Sequence, residues 1–209
     1  MEALTFEQFV EVLAIRGADQ RSVTAIAGPP GAGKSTIAER LEQALNAIEP
    51  ATAAVLPLDG YHFDDLVLVP RGLRPRKGAP ETFDVDGFAS MLRRLRANEA
   101  PEIAVPVFDR DLEVARAGAR MVPREVRHLI IEGNYLLLDR TPWRELLPLF
   151  DTTVAVVADL AELRRRLAAR WLGYGLSATE VAGKVEDNDL VNARLVQSDR
   201  AEAEFVLMN

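Results

Sequence analysis

The sequence predicts an α/β fold of three layers, a mostly parallel sheet with helices on both faces. Short β-branched runs alternate along the chain with longer stretches of helical period, which implies parallel strands joined by crossover helices. Ser22–Gly28, Arg127–Glu132 and Thr152–Ala158 read as buried strands of such a sheet. The first of them runs through a glycine-rich turn, Gly28–Ser35, straight into a helix.

In chain order, Thr5–Ile15 reads as a helix with the stripe Phe6, Phe9, Val10 and Leu13. Thr36–Leu45 reads as the helix after the glycine turn, with Ile37, Leu41 and Leu45 on one face. Ala51–Asp59 is a second strand with an acid at its C-terminal end. Residues 60–85, rich in Pro, Gly and charge, read as a long loop, a length that is uncommon unless functional or disordered. Val85–Ala97 is a helix burying Phe88, Met91, Leu92 and Leu95. Glu102–Phe108 is strand-like, but Pro106 demotes it to an edge or an excursion. After the strand at 127–132 come a short helix, Pro142–Phe150, the strand at 152–158, and a helix Ala161–Leu172 on Leu163, Leu167 and Trp171. Ser177–Val196 is mostly helical and Glu204–Met208 is a last strand.

The 209 residues suit one domain, 1–209, with a small lid, and are enough for a sizeable core. Hydrophobic residues at 48% and charged ones at 27% are ordinary for a soluble globular protein. A net charge of −7, from 32 acidic and 25 basic residues, argues against general nucleic-acid binding. No apolar run approaches the roughly 20 residues that span a bilayer, so no membrane partner is expected. The acidic start is no secretory signal, and the absence of cysteine excludes disulfides and thiolate chemistry. A cytoplasmic location is expected from nucleotide use and the missing signal. Two basic clusters, Arg71/Arg74/Arg76/Lys77 and Arg164/Arg165/Arg166/Arg170, run against the acidic balance and suggest held anions; the alternative is solvated surface arginines.

Gly28-Pro29-Pro30-Gly31-Ala32-Gly33-Lys34-Ser35 fits G-x-x-x-x-G-K-[ST] without a mismatch, and with Thr36 it opens the helix. Glycines let the loop fold back with its amide N–H groups inward, a nest for phosphate oxygens. The helix N-terminus adds unpaired donors and a positive dipole end. Lys34 would reach the β- and γ-phosphates and the Ser35 hydroxyl would ligate Mg²⁺. The predicted fold is thus a P-loop NTPase fold that binds ATP or GTP. Ligands of open α/β sheets bind beyond the carboxyl ends of the strands, where Asp59 and Glu132 lie. If both strands neighbour the phosphate-loop strand, both carboxylates face the γ-phosphate. There each could accept a proton from an attacking hydroxyl or hold Mg²⁺ through water; the alternative is a helix cap or turn acid.

Leu56–His62, Pro75–Asp84 and Ile131–Tyr135 resemble, in this order, the uridine kinase, phosphoribulokinase and bacterial pantothenate kinase superfamily. The combination is most similar to the branch of fructose transport system kinases. The resemblance implies an ATP- and Mg²⁺-dependent kinase acting on a hydroxyl of a small metabolite, a sugar if the branch is followed. A nucleoside or pantothenate-type acceptor is the alternative. It further implies that Asp59 is the base, and that Glu132 supports Mg²⁺ or the substrate hydroxyl. Substrate contacts would come from Arg76, Lys77, Glu81 and Phe83 in one loop, from Asp109 and Arg110 after Phe108, and from Tyr61. His62 is read evenly as a substrate contact or a structural histidine, and His128 as a core histidine. The helix carrying Arg164–Arg170 matches a mobile lid, roughly 161–185. On it Arg166 and Arg170, at i and i+4, share a side, and one would neutralise transition-state charge. Relatives often pair as homodimers; the sequence does not fix this.

Two readings of another class compete. A GTPase switch finds a D-x-x-G match in Asp84–Gly87 but no N-K-x-D after it. A motor or transporter ATPase would want an aspartate where the central strand ends Ile130-Ile131-Glu132-Gly133.

Overall fold

The computed structural model describes residues 2–18 and 20–208. Its strands are β1 (Glu2–Ala3), β2 (Ser22–Ala27), β3 (Ala53–Pro57), β4 (Glu102–Asp109), β5 (Val114–Pro123), β6 (His128–Gly133), β7 (Thr152–Val157) and β8 (Phe205–Met208). Its α-helices are α1 (Phe6–Arg16), α2 (Lys34–Ile48), α3 (Asp65–Leu68), α4 (Val85–Ala97), α5 (Leu160–Gly173), α6 (Ala178–Lys184) and α7 (Leu190–Ser198). Six strands form one sheet in the order β1-β8-β7-β2-β6-β3, and every pairing within it is parallel.

Period-two alternation divides the sheet's side chains between two cores. Val23, Ala25, Ala27, Leu129 and Ile131 face one side, where they pack with Phe88, Leu92 and Leu95 of α4 and with Trp143. Ile26, Ile130, Val154 and Val156 face the other, against Leu41 and Leu45 of α2 and Leu163 and Leu167 of α5. Helices therefore cover both faces, as predicted. Local signals set the helix ends. Thr5 and Gln8 form a reciprocal capping box on α1, and the Asp84 carboxylate caps α4 by accepting from Gly87 N.

The structure differs from the sequence-based expectation in several places. Only β6 neighbours the phosphate-loop strand β2 on the side of the two acids; β3 lies one strand further out, against β6. Asp59 sits not on β3 but in the 3₁₀ turn Leu58–Tyr61 that follows it. Residues 60–85 are more regular than a loop: Asp64 caps α3, and 3₁₀ turns form at Arg74–Arg76 and Pro80–Thr82. The 4-residue α3 has too little amphipathic pattern to register as a helix. Glu102–Asp109 is indeed an excursion, with a register shift between Val105 and Val107 around Pro106. It pairs antiparallel with β5, a strand without a hydrophobic period because most of its side chains are exposed. The helix expected over 142–150 is a 3₁₀ helix, Trp143–Leu149. The stretch 177–196 is broken by a π-turn, Val185–Asp189, between α6 and α7. Met91 and Trp171, expected in the core, are only partly buried.

Candidate active site

The glycine turn leaves β2 and enters α2 through left-handed backbone at Gly31 (φ 78°) and Gly33 (φ 87°). That conformation is costly for residues with a Cβ, so these positions need glycine. At Gly28 the requirement is a close approach: a Cβ there would lie 2.5 Å from the Val156 carbonyl oxygen on β7. Gly33 caps α2 with no side-chain hydrogen bond, which leaves the first-turn donors for a ligand. Pro29, Pro30 and Ala32 complete the turn, Ala32 N donating to Pro29 O at 3.1 Å, and Thr36 follows Ser35 in the first turn of α2.

Lys34 is 7% exposed. Its Nζ donates to Pro29 O at 3.0 Å and to Asn134 Oδ1 at 2.6 Å. Burial pushes the ammonium below the ordinary lysine range; the charges of Glu132 and Asp59 oppose this, and that of Arg170 adds to it. Glu132, also 7% exposed, lies level with Ile26 of β2 and Pro57 of β3. Burial pushes its carboxyl above the ordinary range, with the Lys34 charge opposing. Ser35 Oγ donates to Glu132 Oε1 at 3.1 Å.

Each acid is followed by a glycine, and each glycine answers to a neighbour. A Cβ on Gly133 would lie 2.6 Å from Leu58 Cβ, so this glycine lets the Leu58–Tyr61 turn lie against the end of β6. A Cβ on Gly60 would lie 2.7 Å from the Pro106 carbonyl oxygen, so Gly60 lets the β4–β5 hairpin lie on that turn. The charge of Asp59 thereby acts on Lys34 and Glu132 although its turn follows the outer strand, and the hairpin delivers Arg110, whose Nη2 donates to Asp59 Oδ2 at 2.8 Å.

His62 Nδ1 lies 2.8 Å from Asp59 O. A carbonyl oxygen only accepts, so Nδ1 carries the proton and Nε2 is the acceptor of the neutral ring. Its ring packs on Phe83 at 4.0 Å and Phe108 at 4.9 Å, and burial holds the imidazole below its ordinary value, hence neutral. Arg166 is bound to Glu162 at 2.6 Å and reaches Gly31 O at 3.4 Å. Arg170 lies over Trp171 and Tyr174, 5.8 and 5.9 Å from the ring centroids, and its charge is felt at Lys34.

Other expected contacts are engaged elsewhere. Tyr61 turns toward the core, ring to ring with Phe88 at 4.9 Å, with its hydroxyl buried. Asp109 Oδ1 accepts from the backbone N of Asp111 and Leu112, and Oδ2 pairs with Arg116, so this carboxylate shapes the hairpin turn. Lys77 ties Asp65 (2.9 Å) to Glu113 O (2.6 Å), and Arg76 faces Glu81 at 3.7 Å. The basic clusters are thus largely ion-paired within the protein, Arg74 with Asp65, Arg164 with Glu186 and Arg165 with Glu162. His128 is a core histidine, packed against Gly17 and held neutral by burial. A cleft of about 390 Å³ beside Glu81, Phe83, Asp84 and Trp143 contains no residue of the phosphate loop.

Two residues escaped the sequence reading. Asn134 positions Lys34, and its only signal was its place directly after Glu132-Gly133. Tyr135, fully buried, donates from its hydroxyl to Gly78 O at 2.7 Å, fastening the 74–82 segment to the end of β6.

A phosphate cradle alone is common to switches, motors and kinases. Here one carboxylate at the end of an inner strand, Glu132, and one in the turn after the outer strand, Asp59, both act electrostatically on the cradle's lysine, and a carboxylate so placed can serve as the base for a hydroxyl. Fold and site together define a P-loop kinase, a phosphotransferase acting on a small molecule. A solved structure described as a "putative fructose transport system kinase" from Silicibacter sp. TM1040 is 39% identical, with a TM-score of 0.90 over 98% of this chain and 100% of its own. "Putative uridine kinase C227.14" of Schizosaccharomyces pombe is 33% identical over 195 residues, covering 90% of this chain and 83% of that protein. YggC of Escherichia coli K12 is 34% identical over 192 residues, 91% of this chain and 74% of its own length. No family model matches the sequence. The chain belongs to the uridine kinase-like family of P-loop kinases.

Proposed function

We propose that the chain transfers the γ-phosphoryl group of ATP to a hydroxyl of a small polyol-type metabolite, in the first instance a sugar. The observation that carries this reading is a phosphate cradle with buried Lys34 whose Ser35 donates to Glu132 at 3.1 Å, with the charge of Asp59 also acting on the lysine. The name of the Silicibacter relative favours a sugar. A nucleoside is the second reading, favoured by the name of the S. pombe relative.

The residues fit the nucleotide and its metal. The amides of Gly33, Lys34 and Ser35 lie at a helix end without a side-chain cap, a cradle for phosphate oxygens. Ser35 Oγ and Glu132 are a hydroxyl and a carboxylate in contact, and no cluster of three metal-ligating side chains exists among the described residues. Such a sparse oxygen set suits Mg²⁺, which keeps phosphate oxygens and waters as its other ligands. When bound, ATP supplies the phosphoryl group and Mg²⁺ neutralises charge on its phosphates.

The chain's own residues do the rest. Lys34, short of water and of full charge compensation, gains a phosphate partner. Asp59 accepts the proton of the acceptor hydroxyl as that oxygen bonds to phosphorus and the bond to the departing ADP oxygen breaks. His62 Nε2 offers an acceptor to a second hydroxyl. Helices α5 and α6 act as a lid, with Arg170 better placed than Arg166 to meet developing charge because Glu162 holds the latter. Work in the cytoplasm accords with use of ATP.

The test is transfer of labelled phosphate from ATP across a panel of sugars, nucleosides and polyols. Consumption of ATP should be slow alone and rise sharply with the right acceptor. Asp59→Asn should abolish transfer and leave ATP binding nearly intact. Vigorous hydrolysis without acceptor, or transfer surviving Asp59→Asn, overturns the reading.

A further inference from the structure

From the ion pair between Arg110 and Asp59 we infer that the phosphoryl acceptor carries an anionic group, carboxylate or phosphate, a few bonds from its reacting hydroxyl, and that Arg110 selects for it. The inference rests on the kinase reading and narrows its substrate class.

Arg110 occupies the position that an acceptor must take. Its Nη2 sits 2.8 Å from Asp59 Oδ2, on an oxygen the acceptor hydroxyl would need for its proton. Its charge is also felt at Glu132, the second acid of the site. A neutral polyol offers nothing to draw the arginine away, whereas an anion does. Among the described residues the guanidinium makes one hydrogen bond, to Asp59, and its side chain is 50% exposed. The rest of its planar fork remains open to a bidentate anion.

The placement is built into the fold. Gly60 admits the Pro106 carbonyl and so seats the hairpin on the Asp59 turn. Asp109, with its two backbone bonds and its pairing to Arg116, fixes the turn at residues 109–112. Lys77 binds Glu113 O and anchors the other side of the tip. The nearby cations are already matched, Lys77 and Arg74 by Asp65 and Arg76 by Glu81. Arg110 is the one whose partner is the base itself. An acceptor anion that takes Arg110 frees Asp59 and fixes the hydroxyl's direction in the same movement. Neutral sugars lack the group that performs this exchange.

The experiment uses matched acceptors on the full chain: fructose against fructose 6-phosphate, and glycerol against glycerate. The two anions distinguish phosphate from carboxylate. Turnover is measured with ATP, and binding by calorimetry with a non-hydrolysable ATP analogue. At least one anionic member should exceed its neutral partner in kcat/KM by about 100-fold, the scale of a charge-assisted bidentate contact. Arg110→Gln should erase that preference by lowering kcat/KM for the anion far more than for its neutral partner. A merely structural role would lower both alike, and equal losses overturn the inference. Equal use of neutral and anionic acceptors by the unaltered protein also overturns it, as does failure of both anions to bind the analogue-loaded protein. Anion binding that depends on Arg110, without ATP consumption, supports the inference and overturns the kinase reading alone.

Discussion

Gly133→Ala tests how Asp59 comes to the site. The new Cβ would stand 2.6 Å from Leu58 Cβ and 2.8 Å from Leu58 Cδ2. Carbon atoms rest at roughly 3.5–4.0 Å, so the Leu58–Tyr61 turn must retreat by about 1 Å. Leu58 is fully buried and has no free volume to enter. Overpacking of this kind costs about 1–3 kcal/mol. In a domain of this size that lowers Tm by about 2–4 °C for each kcal/mol. Asp59 rides on the same turn, and a misplacement of about 1 Å can cost around 100-fold in rate. The phosphate loop is set by Gly28, Gly31 and Gly33 and is untouched. The expected result is therefore a kcat about 100-fold lower with the best acceptor, a modestly lower Tm, and an ATP Kd within a few-fold of the unaltered protein. Steady-state kinetics, a melting curve and nucleotide titration measure the three. Unchanged kcat, or loss of ATP binding in proportion to activity, would refute the argument that Gly133 exists to admit the Asp59 turn.

Asn134→Ala should cut kcat/KM for ATP about 10-fold by releasing Lys34 from a hydrogen bond to a charged group; nucleotide kinetics check it. Gly17→Ala drives a Cβ to 2.2 Å from His128 Cε1, so it should lower stability by about 1–3 kcal/mol with kcat intact, and His128→Ala should relieve most of that loss in denaturant titrations. His128 is held below its ordinary 6.5, so the unfolded chain binds its proton first. Its contribution is present above 6.5 and is lost as pH falls through the folded value, about 1.4 kcal/mol for each unit of lowering. Melting between pH 7.5 and 5.5 should therefore show a decline that His128→Phe reduces. The Glu132 carboxyl has the opposite shift, above its ordinary 4.5, so Mg²⁺-dependent ATP affinity should weaken on acidification before an ordinary glutamate would protonate.

The sheet, the phosphate loop and both principal acids were legible in the sequence because each follows from a local rule. Buried parallel strands are apolar runs, the loop has fixed glycines, and ligand-facing acids sit at strand ends. Helix α4 matched its expected bounds, Val85–Ala97, because its apolar stripe repeats at helical spacing, and the structure shows Asp84 and Asn98 at its caps. What escaped depends on contacts far apart in sequence. The strand β5 lacks a hydrophobic face, and Asp59 comes from the outer strand through two glycine-mediated close approaches. Tyr61 could not be told from an acceptor contact without knowing that Phe88, 27 residues on, lies beside it. The bond of Asn134 to Lys34 spans 100 residues.

The donor and acceptor halves of the site have different mechanical foundations. Lys34 and Ser35 open helix α2 just after the inner strand β2, and Glu132 lies on the adjacent inner strand β6. Arg110 stands on a hairpin that contributes no strand to that sheet. Its tip, between Asp109 and Val114, is exposed and is tied down by the Arg110–Asp59 pair and by Lys77, which donates to Glu113 O. The contact proposed to choose the acceptor thus stands on a unit apart from the frame that holds the phosphate cradle.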